Sequence, residues 1–108
     1  MRAPRSIASD EVFRAISHRT RRAILDSLRA GPARAGDLAT GFPASRPAIS
    51  KHLKVLRDSG MVREERVGRE RIYSLDPVPL HRVAGWIEGY RSFWQTSLAR
   101  LKRHLEEK

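Results

Sequence analysis

The chain has 108 residues, 40% apolar and 31% charged, enough for one domain with a core of its own and too apolar for a disordered chain. Lys and Arg number 22 against 12 Asp and Glu, a formal net charge of +10; so large a surplus points to a polyanionic partner, nucleic acid first and an anionic membrane surface second, rather than to a merely soluble basic protein. Cysteine is absent, which excludes disulfides, zinc fingers and thiolate metal sensing, and no run approaches the roughly 20 apolar residues that span a bilayer.

Met1 to Ser9 carries two arginines and no apolar h-region. It reads as a disordered tail, 1–9, rather than a signal peptide, and a cytoplasmic protein is the expectation. A first helix is expected from about Asp10 to Ser17, capped by Ser9 or Asp10, with Val12, Phe13 and Ile16 as its apolar stripe. A second helix runs from about Arg19 to Arg29, turns Ile24, Leu25 and Leu28 inward and stops at Ala30-Gly31-Pro32. A short third covers Ala35 to Thr40 and ends at Gly41-Phe42-Pro43.

The fourth helix, 45–59, is the best defined. Ser45 is its N-cap, Pro47 sits in the first turn where a missing N–H costs nothing, and Gly60 is its stop. Ile49, Leu53 and Leu56 recur at i, i+4, i+7. Then the period changes to that of strands. Met61 to Arg66 and Glu70 to Leu75 form a hairpin, 61–75, turned by Val67-Gly68-Arg69. Asp76-Pro77-Val78-Pro79 breaks the chain, and one long helix is expected from about Leu80 to Glu106, so that 79–106 is a single element. The fold class is mainly α with a small β-hairpin: a winged helix-turn-helix over 10–108 with helical additions at both ends.

At 100° per residue, Arg46, Ser50, Lys54 and Arg57 share one side of the fourth helix, with Lys51 at its edge and no acid before Asp58. A helix entering the major groove needs such donors, and its N-terminal N–H groups favour phosphate. Arg46 can pair with guanine O6 and N7, while Ser45, Ser50, Lys51 and Lys54 can bond bases or phosphates and Pro47 lies among them. The bland alternative is an amphipathic helix with a solvated basic face. The hairpin places Arg66, Arg69 and Arg71 at or beside its tip, where a wing touches backbone or minor groove. Glu64, Glu65 and Glu70 dilute this basic signal, and the reading that keeps it makes them cross-strand partners that orient the arginines. Arg19, Arg21 and Arg22 open the second helix against its dipole, which points either to phosphate contact by Arg19 and Arg22 or to an Arg22–Asp26 pair with the others solvated.

Val83, Trp86, Ile87, Tyr90, Trp94, Leu98, Leu101 and Leu105 recur along the last helix at spacings of three and four. The winged core is too small to cover this stripe, and an exposed stripe marks an interface. A second copy of the chain about a two-fold axis is the simplest cover. The competing reading is a ligand pocket among Trp86, Tyr90, Phe93 and Trp94. His18 is expected at a helix boundary, His52 at the edge of the core face, and His81 and His104 on the surface.

Three segments, Phe13 to Leu25, Ser45 to Val62 and Gly68 to Leu75, resemble the ArsR/SmtB family of winged-helix repressors and together span about residues 12–76. The resemblance implies a homodimer joined through its first and last helices, with Val12, Phe13, Ile16, Trp86, Tyr90, Phe93, Trp94, Leu98 and Leu101 at the interface. It also implies an inverted-repeat operator of double-stranded DNA, read by the helix matching Ser45 to Ser59, and repression relieved by a signal that the sequence does not name. The cysteine motif of the family's metal sensors is missing. Of its other metal site, Asp-x-His plus His-x-x-Glu, only His104 and Glu107 match. The likeness is therefore to the metal-independent branch, with no metal and no cofactor expected and a metal-responsive sensor as the alternative. An enzyme is not expected, for want of a phosphate-binding glycine loop, a metal-ligand set or a nucleophile beside a base. A winged helix that docks proteins is the remaining alternative. RNA binding lacks a stacking platform.

Overall fold

A computed structural model describes the backbone of residues 3–107 and the side chains from Asp10 onward. Nine elements follow in chain order among the described residues: α1 (Ala3–Ile16), α2 (Arg19–Leu28), β1 (Ala33–Arg34), α3 (Ala35–Thr40), α4 (Arg46–Asp58), β2 (Val62–Val67), β3 (Glu70–Leu75), α5 (Val78–Glu88) and α6 (Arg91–Glu106). The strands form one antiparallel sheet in the order β1-β3-β2. This is the mainly helical winged fold that the sequence predicts.

The core is a single cluster. Val12 and Ala15 of α1, Ile24, Leu25 and Leu28 of α2, and Leu38 of α3 meet Ile49, Leu53 and Leu56 of α4, with Met61, Val62, Tyr73 and Val83 closing it. Each fully buried aliphatic side chain contributes roughly 1.5–3 kcal/mol. Val12 is only 2% exposed. It packs inside its own protomer, so it leaves the set of predicted interface residues, and Phe13 and Ile16 are half-buried against the same core.

The ends of α4 follow from its sequence. Ser45 Oγ accepts the Ala48 N–H at 3.2 Å, a cap worth about 1 kcal/mol. At the other end the Gly60 N–H donates to Arg57 O at 2.9 Å and the Met61 N–H to Leu56 O at 3.0 Å. This is a Schellman closure, with Leu56 and Met61 as its buried apolar contact. It requires a left-handed residue after the cap, and Gly60 supplies φ +81°. In the hairpin, Gly68 alone of the two loop residues has positive φ, the pattern of a type II′ turn.

The structure departs from the sequence reading at three places. The first helix begins at Ala3, not near Asp10. Of the predicted tail, residues 1 and 2 lie outside the described residues and the backbone of 3–9 continues α1. Second, β1 pairs Ala33 with Tyr73 and Arg34 with Ile72; two residues are too few to show a strand period. Third, the single long helix is two. Gly89 and Tyr90 hold ψ of −17° and −5°. The Gly89 N–H donates to Trp86 O at 3.2 Å and the Tyr90 N–H to Ile87 O at 2.9 Å, tighter turns than an α-helix makes. Glycine inside a helix costs about 1 kcal/mol relative to alanine, which makes Gly89 a weak point, although Gly85 stays within α5. All of α6 is exposed. The radius of gyration is 18.5 Å, against about 13 Å for a compact domain of 100 residues.

Gly60→Ala tests the closure of α4. A Cβ there meets Pro79 Cγ at 3.6 Å, an ordinary contact, so the cost is conformational, about 1–2 kcal/mol for a left-handed non-glycine residue. Urea unfolding should show that loss; unchanged stability would mean that the turn readily takes another form.

Candidate nucleic-acid interface

One side of α4 is fixed in the core and the other is held outward. Ile49, Leu53 and Leu56 are at most 5% exposed, whereas Arg46, Pro47, Ser50, Lys51, Lys54 and Arg57 are exposed, as is the capping Ser45. The structure brings Arg46, Ser50 and Lys54 together with Arg57 and the wing residue Arg71 around a depression of about 350 Å³, floored by Ile49, Leu53 and Tyr73. Lys51 lies on the same helix but outside this depression. A second depression, of about 410 Å³, lies under the wing among Arg34, Arg69 and Arg71. Arg34 comes from β1, and the sequence reading missed it because nothing in a two-residue strand announces its register.

Arg66 stands directly opposite Arg71 in the hairpin. Like charges so placed are destabilising. Glu64, half-buried, offsets this: it pairs with Arg57 of α4, lies 3.8 Å from Arg71 Nη1 and accepts the Tyr73 hydroxyl at 3.3 Å. Burial first, and then the Glu64 carboxylate, pushes the Tyr73 phenol above its ordinary value. Glu70 pairs with Arg34 at 3.3 Å and Asp58 with Lys54 at 2.8 Å. The acids that dilute the basic signal in the sequence therefore bind particular cations, in pairs that solvent keeps individually weak. Arg46, Lys51, Arg66 and Arg69 make no ion pair among the described residues.

The arginines that open α2 serve the neighbouring helix. Arg21 Nε donates to Ala15 O at 2.7 Å and Nη2 to Arg14 O at 3.0 Å, while Arg22 Nη1 donates to Ile16 O at 2.8 Å. They satisfy the open carbonyls of α1 and complement the negative end of its dipole. That offsets the cost of cations at the start of α2. Arg22 thus makes no ion pair with Asp26 among the described residues, the second of its two expected roles, and holds the end of α1 instead. Arg19 is exposed beside it.

His18 caps α2 by accepting the Thr20 N–H on Nδ1 at 3.1 Å. Its ring lies 4.4 Å from that of His52 on α4, and Arg21 Nη1 lies 3.2 Å from His52 Nδ1. Because the guanidinium can only donate, His52 accepts and is neutral. Burial, then His18, then Arg21 hold its pKa below the ordinary value of 6.5.

On the far side, Phe13 meets Trp86 edge-on at 5.4 Å, and Trp86 meets Tyr90 at 5.1 Å. Beyond them Phe93, Trp94, Leu98, Leu101 and Leu105 of α6 are 50–66% exposed. His104 and Glu107 lie exposed at the end of α6, and no group of three or more His, Cys, Asp or Glu converges among the described residues. No helix among the described residues is long and apolar enough to cross a membrane.

A helix-turn-helix followed by a wing, with its cations gathered on the second helix and the hairpin, defines a DNA-binding regulator. Residues 18–64 match the family model described as "Bacterial regulatory protein, arsR family". The chain is 45% identical over 89 residues to the HTH-type transcriptional regulator Rv2034 of Mycobacterium tuberculosis (strain ATCC 25618 / H37Rv), covering 82% of this chain and 80% of that protein. It is 41% identical over 78 residues to the transcriptional repressor SdpR of Bacillus subtilis (strain 168), covering 72% and 87%. Among solved structures, an ArsR-like transcriptional regulator from Rhodococcus sp. RHA1 superposes with a TM-score of 0.76 at 35% identity, over 100% of this chain and 99% of that one. The chain belongs to the ArsR family of bacterial transcriptional regulators, and it is a DNA-binding protein, not an enzyme.

The His52 environment makes stability depend on pH. Its pKa is lowered on folding, so the unfolded chain binds more protons between the folded pKa and 6.5. Stability is full above 6.5 and falls as pH drops from there through the folded value. His52→Gln should flatten that part of the profile in thermal melts taken from pH 7.5 to 4.5. An unchanged slope would assign it to other groups.

Proposed function

We propose that the protein is a homodimeric repressor that reads an inverted-repeat operator, with the helix 45–59 in the major groove and the wing 61–75 on the adjoining backbone. The observation that carries this reading is the outward face of α4, on which Arg46 and Lys51 make no ion pair among the described residues while the opposite face is locked in the core. Ser45, Arg46, Pro47 and Ser50 occupy the first turns, the part of a recognition helix that reaches base edges. Lys51, Lys54, Arg66, Arg69 and Arg71 lie where phosphates run beside it, and Arg19 is a flanking phosphate contact. Repression accords with the similarity to the transcriptional repressor SdpR, and a cytoplasmic location accords with an operator as partner.

The dimer rests on α5 and α6. Trp86, Tyr90, Phe93, Trp94, Leu98 and Leu101 form an exposed apolar stripe that the protomer leaves uncovered, and Phe13 continues it onto α1 through Trp86. Two copies about a two-fold axis cover it and present two recognition helices to half-sites about 10 or 20 bp apart. The second contact is then intramolecular, which raises affinity without new contacts.

Selection of bound sequences from randomised duplex DNA should yield an inverted repeat. Arg46→Ala should weaken binding to it by about 1–3 kcal/mol and relax preference at one base position per half-site; retention of the wild-type preference would remove Arg46 as a base reader. Trp94→Ala should cost the dimer about 2 kcal/mol or more. Leu98→Glu should oppose like charges across the axis. Both should shift sedimentation toward monomer and weaken operator binding, although neither residue touches DNA. A wild-type protein that sediments as a monomer at micromolar concentration would refute the dimer.

A further inference from the structure

We infer that Glu64 is a positioning residue for DNA binding: it holds Arg57 of α4 and Arg71 of the wing as a two-arginine seat for one backbone phosphate. The inference rests on the reading of α4 and the wing as the DNA-binding face and adds two residues, Arg57 and Glu64, to it.

Two guanidinium groups repel each other unless an anion lies between them, and Glu64 is that anion. It pairs with Arg57 through Nη1 of the guanidinium, lies 3.8 Å from Arg71 Nη1 and takes the Tyr73 hydroxyl at 3.3 Å. Tyr73 is 4% exposed, so the phenol fixes the carboxylate from within the core. The Glu64 side chain is 21% exposed, whereas those of Arg57 and Arg71 are 44% and 50%. The acid is thus shielded while the arginines keep an outward side. Each guanidinium carries five donors, and these contacts engage one nitrogen of each. Both arginines line the depression shared with Arg46 and Lys54. A phosphate takes charge-assisted bonds from two such forks at once. The same pairings tie the end of α4 to the wing, so the phosphate seat and the register of the hairpin against the recognition helix are set together.

The test turns on sign. A carboxylate that only repelled DNA would, once neutralised, tighten binding. If Glu64 positions the arginines, Glu64→Gln should weaken binding about tenfold, the loss of roughly one charge-assisted bond. The probe is a random-sequence duplex of about 30 bp, long enough for the roughly 20 bp half-site spacing, titrated at several salt concentrations. The slope of log K against log salt should become shallower by about 1 to 2, as befits one or two lost phosphate contacts. In the Arg57→Gln/Arg71→Gln background, Glu64→Gln should have no further effect on DNA binding, whereas a merely structural role would persist there. Should Glu64→Gln fail to fold, the single variants R57Q and R71Q decide: each should reduce the slope by about 1. Tighter binding by Glu64→Gln, or unchanged slopes in R57Q and R71Q, would overturn the inference and leave the DNA-binding reading intact. Absence of salt-dependent binding by the wild type would overturn both.

Discussion

The burial of Ile49, Leu53 and Leu56 is the constraint on which the rest of the protein depends. Three side chains on one face of a 13-residue helix are at most 5% exposed. At roughly 1.5–3 kcal/mol each, they outweigh any single contact on the other face. Rotating α4 by one residue, about 100°, would expose them and bury a cation in their place. The outward direction of Arg46, Ser50 and Lys54 therefore needs no contact of its own: the core sets it. Ser45 fixes where the helix begins and Gly60 where it ends, so its length and phase are determined before any DNA is present.

Electrostatics then sorts the cations. The acids on this side of the molecule bind particular partners, Asp58 with Lys54, Glu70 with Arg34, and Glu64 with Arg57 and Arg71. The Asp58 and Glu70 pairs are exposed and weak, and Glu64 is half-buried, so these acids direct side chains more than they stabilise the fold. On the opposite side of α2, Arg21 and Arg22 serve the carbonyl end of α1. Of the cations behind the net charge of +10, Arg21 and Arg22 at the start of α2 hold helix ends together, and those on α4 and the wing face solvent.

Much of this was legible in the sequence. The period of Ile49, Leu53 and Leu56, the Ser45 cap and the Gly60 stop placed α4 and its faces, and Gly68 marked the turn of the hairpin. What the sequence did not show has physical causes. Val12 belongs to an apolar stripe, but a period cannot say whether a stripe faces the protomer's own core or a partner. The role of Arg21 and Arg22 depends on α1 ending beside them, which is a tertiary fact. β1 exists only because β3 offers a free edge. Gly85 and Gly89 stood in the last helix, yet their spacing of four suits a helix interior as well as a break, and the apolar period runs through both. For Glu64 the sequence offered dilution of the basic signal or a cross-strand pair; its contacts with Arg57 of α4 and the Tyr73 hydroxyl depend on how α4 packs against the hairpin.

Arg21 also joins the two sides of the protein. Its guanidinium reaches Ala15 O and Arg14 O at the end of α1 and His52 on α4. α1 in turn meets α5 through Phe13 and Trp86. A continuous set of packed contacts therefore leads from the apolar stripe, over α1, to the helix that faces outward with its cations. Such a set fixes distances without needing a second conformation. Two protomers joined through the α5 part of the stripe would hold their recognition helices at one separation, because the links from Trp86 over Phe13 and Arg21 to α4 are packed or hydrogen-bonded contacts. The separation, and with it the half-site spacing, would then be a property of the core.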